Sequence, residues 1–197
     1  ILAFFGGMFF GLILATIRTF GSKVSNNLVI CYVTFFTNTP QLVQIYFLFF
    51  ALPEFGILLS PYIAVLLGMT LNAAAYLCEI QRAGFLSIRQ NELDAAKTLN
   101  FSLVQQVKYV ILPHIMKVLF PPLSNHYIIM TLGTSMAAIF GVEELTGRAF
   151  NINSETFRSV EIFSITALIY IVITFIATFL LAVIGRYFFK AKIRIIQ

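Results

Sequence analysis

Few groups in this sequence can do covalent chemistry. His114 and His126 are the two histidines and Cys31 and Cys78 the two cysteines, and none has a second ligand at metal-binding spacing. Both cysteines lie in apolar runs, where a thiol packs as a small hydrophobe, and a packing role is expected for both histidines. No G-x4-G-K-[ST] loop is present to cradle a nucleotide phosphate. What remains is recognition chemistry. Thr39, Gln41 and Gln44 form one polar group inside an apolar stretch; Asn72, Tyr76 and Glu79 form a second; Asn125, Thr134 and Ser135 form a third. Polar atoms in hydrocarbon are costly. Each is expected to line a polar path, to bond its own helix backbone, or to tie helices together. Glu79 is open to two readings: it meets a cationic group of a solute, or it pairs with Arg82 one turn on. Glu143 and Glu144, at the outer end of an apolar run, are placed to cap a mouth, to receive a cationic solute, or to sit in an exposed loop.

These residues are carried by elements that soluble domains do not have. Of 197 residues, 59% are hydrophobic and 11% charged, against about 25% charged in soluble proteins. A bilayer span needs ~20 mostly apolar residues. Five uncharged runs meet or approach that: Ile1 to Ile17, Leu28 to Leu52, Phe55 to Cys78, Val118 to Val142 and Ile162 to Gly185. The first is short, as expected of a span whose first residues lie upstream, and no charged segment of the signal-peptide kind precedes it. Backbone groups in lipid must be paired within their own segment, so the runs are expected to be helices. The fold class is therefore an all-α integral membrane protein with five transmembrane helices in one domain, 1–197.

Charge sets the orientation. With the N-terminus outside, the inner segments hold Arg18, Lys23, Arg82, Arg89, Lys97, Lys108, Lys117, Arg186, Lys190, Lys192 and Arg194, and the outer ones only Arg148 and Arg158. Eleven against two places 82 to 117 and the C-terminus in the cytoplasm. The net charge of +5 thus reports topology, and no nucleic-acid surface is indicated. Pro40 interrupts the second run, Pro53 and Pro61 bracket a short outer loop, and Pro121 and Pro122 fall near the start of the fourth run, where a first-turn proline is tolerated.

One stretch is polar and mid-chain: "DAAKTLNFSLVQQVKYVILP", 94 to 113. Asn91 and Asp94 have the spacing of an N-cap with an acid at the third helical position. Leu93, Ala96 and Leu99 make a short apolar stripe, and Asn100 can end the helix in the left-handed conformation. Ser102 and Gln105 form a second capping box, and Leu103, Val107, Val110 and Ile111 a second stripe that Pro113 interrupts. The segment 89–113 is expected to be helix, turn, helix at the cytoplasmic surface. It either rests on lipid headgroups or docks a soluble partner, and the small pair Ala95, Ala96 favours docking.

The same stretch resembles the EAA loop of ATP-binding-cassette importer permeases, E-A-A-x3-G-x9-I-x-L-P. Asp94, Ala95, Ala96, Asn100 and the run Val110 to Pro113 match it in spacing, with Asp94 for Glu, Asn100 for Gly and Val110 for Ile. The resemblance is to the polar amino-acid branch, the permeases of histidine, glutamine and arginine importers. "TNTPQLVQ" resembles R-G-T-P-x-L-V-Q with Thr37 and Asn38 in place of Arg-Gly. "TLNAAAYLCEIQRAG" is similar to T-L-N-x-x-A-Y-x-x-E-I-x-R-x-G, and "LFPPLSNHYI" to L-P-P-x-x-N-x-x-I. "TSMAAIFGVEELT" is similar to T-S-L-x-x-x-I-G-V-x-E-L-T, with Leu132 and Gly133 where Lys-Asp usually precedes.

The resemblance implies a type I importer permease of the bacterial inner membrane. Its two-fold partner would be a second permease, identical or paralogous. Asn91, Asp94, Ala95, Ala96, Lys97, Leu99 and Asn100 would form a coupling helix seated on a separate ATPase subunit, which would hold ATP and Mg. An extracytoplasmic solute-binding protein would deliver a polar amino acid, and lipid would cover the outer faces. Because the whole branch shares the acid at Glu79, pairing with Arg82 is favoured there. Two other classes remain. An ion-coupled secondary transporter would usually show more acids in its spans and an inverted repeat. A membrane scaffold without transport would leave the recurring polar residues unexplained.

Overall fold

The computed structural model describes residues 1–189; Lys190, Lys192 and Arg194 of the charge count lie outside the described residues. Helix α1 covers Leu2–Phe20, α2 Lys23–Thr37, α3 Gln41–Tyr46, α4 Pro61–Leu86, α5 Gln90–Thr98, α6 Leu103–Gln106, α7 Leu112–Gly133, α8 Leu145–Thr156 and α9 Ser159–Phe188. No strand occurs among the described residues. Three helices, α1, α4 and α9, are long and apolar enough to cross a bilayer unbroken; two bent pairs bring the number to five.

The bent pairs correct the expectation of five simple runs. In the second, α2 stops at Thr37 and the chain turns by 100° before Gln41–Phe55. Pro40 is extended (φ −60°, ψ 132°) and heads α3, because it has no N–H to continue a ladder and disfavours helix in the residue before it. The fourth run is longer than expected: Leu103–Phe140 runs continuously and bends by 45° into α8. Pro121 and Pro122 consequently lie inside α7, not in its first turn. Pro113 does not end its helix either. A π-helical turn, Val107–Ile111, immediately precedes it, and a second π-helical turn, Phe47–Ala51, precedes Pro53 in the same way. The wider turn re-registers the backbone so that the proline falls where no donor is needed. Gly56, at φ 80°, then turns the chain into the loop before α4.

Helix α4 is the central element. Ser60 caps it by accepting from the Ile63 N–H, and Pro61 occupies its first turn. It is packed by α1 through a stripe of small residues. A Cβ on Gly7 would lie 2.6 Å from the Ala73 Cβ, and one on Gly11 3.1 Å from the Ala74 carbonyl oxygen. With Ala15, fully buried, these make the small-x3-small pattern that lets membrane helices approach closely. Gln81, also buried, donates Nε2 to the Met8 carbonyl at 3.1 Å. Phe4, Ile45, Met69, Leu77, Met130 and Phe140 close the larger core around α4, and Val29, Val33 and Cys78 the smaller. Helix α9 is the opposite case: Thr166, Ala182 and Gly185 are its buried residues, and most of its Leu, Ile and Phe side chains are exposed, as expected of a span covered by lipid.

Candidate functional site

The break between α2 and α3 opens a cavity of about 580 Å³ against α4 and α7, lined by Thr37, Asn38, Thr39, Pro40, Gln41, Asn72, Tyr76, His126, Ile129 and Met130. Four of the residues expected on a polar path, Thr39, Gln41, Asn72 and Tyr76, are brought together here. The mouth is held by side-chain bonds to the carbonyls that the break leaves free. Gln44 is buried and donates Nε2 to the Phe36 carbonyl at 3.0 Å and to Thr39 Oγ1 at 2.7 Å. Asn72 Nδ2 reaches the same Phe36 carbonyl at 3.1 Å and Gln44 Oε1 at 3.1 Å. The Tyr76 hydroxyl donates to the Thr37 carbonyl at 3.3 Å. Gln44 therefore braces the cavity without lining it, while Asn72 does both.

From the sequence, packing is favoured over chemistry for His126. Its ring lies 5.7 Å from the Tyr76 ring and contributes to the cavity wall, and its Nε2 is buried without a hydrogen-bond partner. The signal was present: a histidine in an apolar run, one residue after Asn125. The remaining path residues are elsewhere. Asn125 is exposed and absent from the cavity wall. Thr134 and Ser135 donate to their own helix, to Thr131 and Leu132 carbonyls at 2.7 and 2.8 Å, although Thr134 also borders a separate cavity of about 510 Å³ with Tyr62 and Glu144. Glu143 is exposed and pairs with Arg148 at 2.9 Å. Glu144 caps α8 by accepting from the Gly147 N–H and also accepts from the Tyr170 hydroxyl, each at 2.9 Å.

Glu79 is also outside the cavity. It accepts from Arg82 Nη2 at 2.9 Å and forms an ion pair with Arg18 of α1. Arg82 follows from the i,i+3 spacing; Arg18 is a tertiary contact that spacing does not reveal.

The polar segment folds as a protruding hairpin. Helix α5 is headed by Arg89 without a side-chain cap, so Asn91 is inside the first turn and is not the N-cap. Within the helix, Asp94 accepts from Gln90 Nε2 at 2.8 Å and from Lys97 Nζ at 3.3 Å. These bonds hold its carboxyl below the usual aspartate value. Asn100 ends the helix at φ 58°. Its N–H bonds the Lys97 carbonyl at 2.8 Å and the Phe101 N–H the Ala96 carbonyl at 3.0 Å, which is the Schellman arrangement. Ser102 and Gln105 form the expected capping box. Asn91, Asp94, Ala95, Lys97 and Leu99 face outward, whereas Ala96 is buried against the rest of the hairpin. The outward face of α5 thus carries one small residue of the pair, Ala95, and Leu99, 69% exposed. His114 of α7 ties the hairpin to α4: Nε2 lies 3.0 Å from the Ser87 carbonyl oxygen and Nδ1 3.6 Å from Glu92 Oε2.

The chain thus holds a cavity at a broken span and, past the C-terminal end of α4, a protruding helical hairpin. Residues 7–190 match the family described as binding-protein-dependent transport system inner membrane components. The chain belongs to this family. It is 35% identical over 188 residues to the glutamine transport system permease of Escherichia coli strain K12, covering 94% of this chain and 86% of that one. It is 37% identical over 161 residues to a probable amino-acid ABC transporter permease of Vibrio harveyi, covering 80% and 72%. Among solved structures it superposes on an amino acid ABC transporter crystallised with histidines at a TM-score of 0.86, with 30% identity over 94% of this chain and 86% of that one. A methionine ABC transporter in inward-facing form shares the fold at a TM-score of 0.70 and 18% identity, over 94% and 88%. The permease is thus a multi-pass inner-membrane component of the type I importer fold.

Proposed function

We propose that this permease forms half of the membrane path of an ATP-driven importer that moves polar amino acids into the cytoplasm. A separate ATPase would supply the energy, an external binding protein would deliver the solute, and a second permease would complete the path. The observation that carries the reading is the pairing of two devices in one chain: a polar cavity within the spans at the α2–α3 break, and a capped helix, α5, projecting from the end where Arg18, Glu79 and Arg82 cluster. The names of the relatives, a glutamine permease and an amino-acid permease, support the substrate class.

Each part has a task. Thr39, Gln41, Asn72 and Tyr76 give the solute hydrogen-bonding partners while it is out of water, and Gln44 keeps the break open. Asp94, Ala95, Lys97 and Leu99 present a face to the ATPase. The Asn100 turn makes α5 a short rigid lever, and His114 passes its movement to the ends of α4 and α7. Closure of the ATPase then rocks the spans as rigid bodies between outward- and inward-facing states. The charge bias of the loops supports an outside N-terminus with α5 in the cytoplasm.

Asp94→Lys tests the docking face. It should abolish ATP-driven uptake and weaken co-purification of the ATPase, with membrane insertion intact. Unchanged uptake would sink the assignment of α5.

A further inference from the structure

His114 sits where α7, the end of α4 and α5 meet, and its partners fix which protons its ring must carry. Nε2 lies 3.0 Å from the Ser87 carbonyl oxygen and 3.1 Å from Ser87 Oγ. The carbonyl can only accept, and the hydroxyl has already given its proton to the Gly84 carbonyl at 2.7 Å. Nε2 is therefore the donor. On the other side of the ring, Nδ1 lies 3.6 Å from Glu92 Oε2, a carboxylate oxygen that also only accepts. A neutral imidazole has one N–H, and Ser87 takes it; Nδ1 then turns a lone pair toward the carboxylate. The imidazolium has two N–H groups and satisfies both sides. The joint is complete only when the ring is charged.

We infer that His114 is a proton-operated latch between α5 and the spans, closed by the imidazolium and open in the neutral form. The consequence for transport rests on the import reading above: pH on the ATPase side would set how fully the movement of α5 reaches α4 and α7. Glu92 is the charged group that meets the ring. Arg82 on α4 is taken by Glu79, Asp94 on α5 by Gln90 and Lys97, and Lys108 lies over the Tyr109 ring. Arg89 at the head of α5, Lys117 one turn along α7 and Arg186 on α9 are exposed and form no ion pair among the described residues. None of them replaces the ring as the partner of Glu92. Pairing favours the charged ring, so the latch is closed at low pH and lost as pH rises, in the range where histidines change charge. The side chains are 24% and 39% exposed for His114 and Glu92. Solvent protons reach the ring, and the bias is limited to about two- to fivefold.

Two measurements test it. The first is amide hydrogen exchange of α5 in the full-chain permease in nanodiscs, corrected for the intrinsic rate. Protection should fall about two- to fivefold between about pH 6 and about pH 8. His114→Gln, which keeps a donor for Ser87 but takes up no proton, and Glu92→Gln, which removes the carboxylate, should each show no such change. The second is solute moved per ATP in proteoliposomes of the complete system, with only the pH on the ATPase side varied. The ratio should fall over the same range in the unaltered protein and stay level in His114→Gln. Flat protection in the unaltered permease, or a pH dependence that survives both substitutions, overturns the latch even if ATP-driven uptake is found. Protection that follows pH and is levelled by both substitutions supports the latch even if uptake proves independent of ATP, an outcome that would end the import reading instead.

Discussion

Glu79 on α4 is bonded to Arg18 on α1 as well as to Arg82 on its own helix. One carboxylate thus joins the two helices that make the most intimate contact in the fold, at the end from which α5 projects. Two guanidinium groups share it, so it has no unsatisfied charge to offer a solute.

Removing that charge should act on stability before it acts on selection. Glu79→Gln leaves Arg18 and Arg82 facing each other across a partly buried site, at a cost of about 1–3 kcal/mol. The expected outcome is a lower folded yield and a lower melting temperature in detergent, with the order of preference among amino acids unchanged. A variant that melts like the unaltered protein but prefers different solutes would show instead that Glu79 touches the solute.

The Asn100 turn makes a sharper geometric prediction. At φ 58° glycine is free and asparagine tolerated, whereas a β-branched residue pays about 1–2 kcal/mol. Asn100→Gly should retain uptake and ATPase co-purification; Asn100→Val should lose much of both by letting the end of α5 fray. Equal performance of the two variants would mean that the Schellman turn does not shape α5 for its proposed role.

His114 predicts a different defect. It links Glu92 on α5 to Ser87 at the end of α4, so His114→Ala should leave the ATPase bound and hydrolysing while uptake falls. The ratio of ATP hydrolysed to solute moved, measured in proteoliposomes, is the readout. A ratio that stays constant while both rates fall would assign His114 to folding rather than to transmission.

How much of this was legible in the sequence depended on whether the cause was local. The capping box at Ser102, the left-handed Asn100 and the break at Pro40 follow from residue chemistry within a few positions, and all three are present. The angle at Pro40 was not legible: hydropathy counts Leu28 to Leu52 as one run, but the proline folds it back by 100° and thereby makes the cavity. Pro121 and Pro122 were misplaced because apolar content marks where a membrane region begins, while α7 is already helical from the polar segment before it. Asn91 does not cap because α5 begins one residue earlier, at Gln90, and no side chain takes the capping role. Arg18 and His126 were missed for one reason: each acts through a contact more than forty positions away along the chain, which no periodicity records.

The central claim is that transport through this chain is driven by ATP on a partner subunit. The most direct measurement is accumulation of radiolabelled glutamine in proteoliposomes containing the permease pair and its ATPase, with binding protein at the outer face. Accumulation that requires both ATP on the ATPase side and the binding protein, and that ion gradients alone do not produce, is the predicted result. Accumulation driven by a proton or sodium gradient without ATP would contradict it.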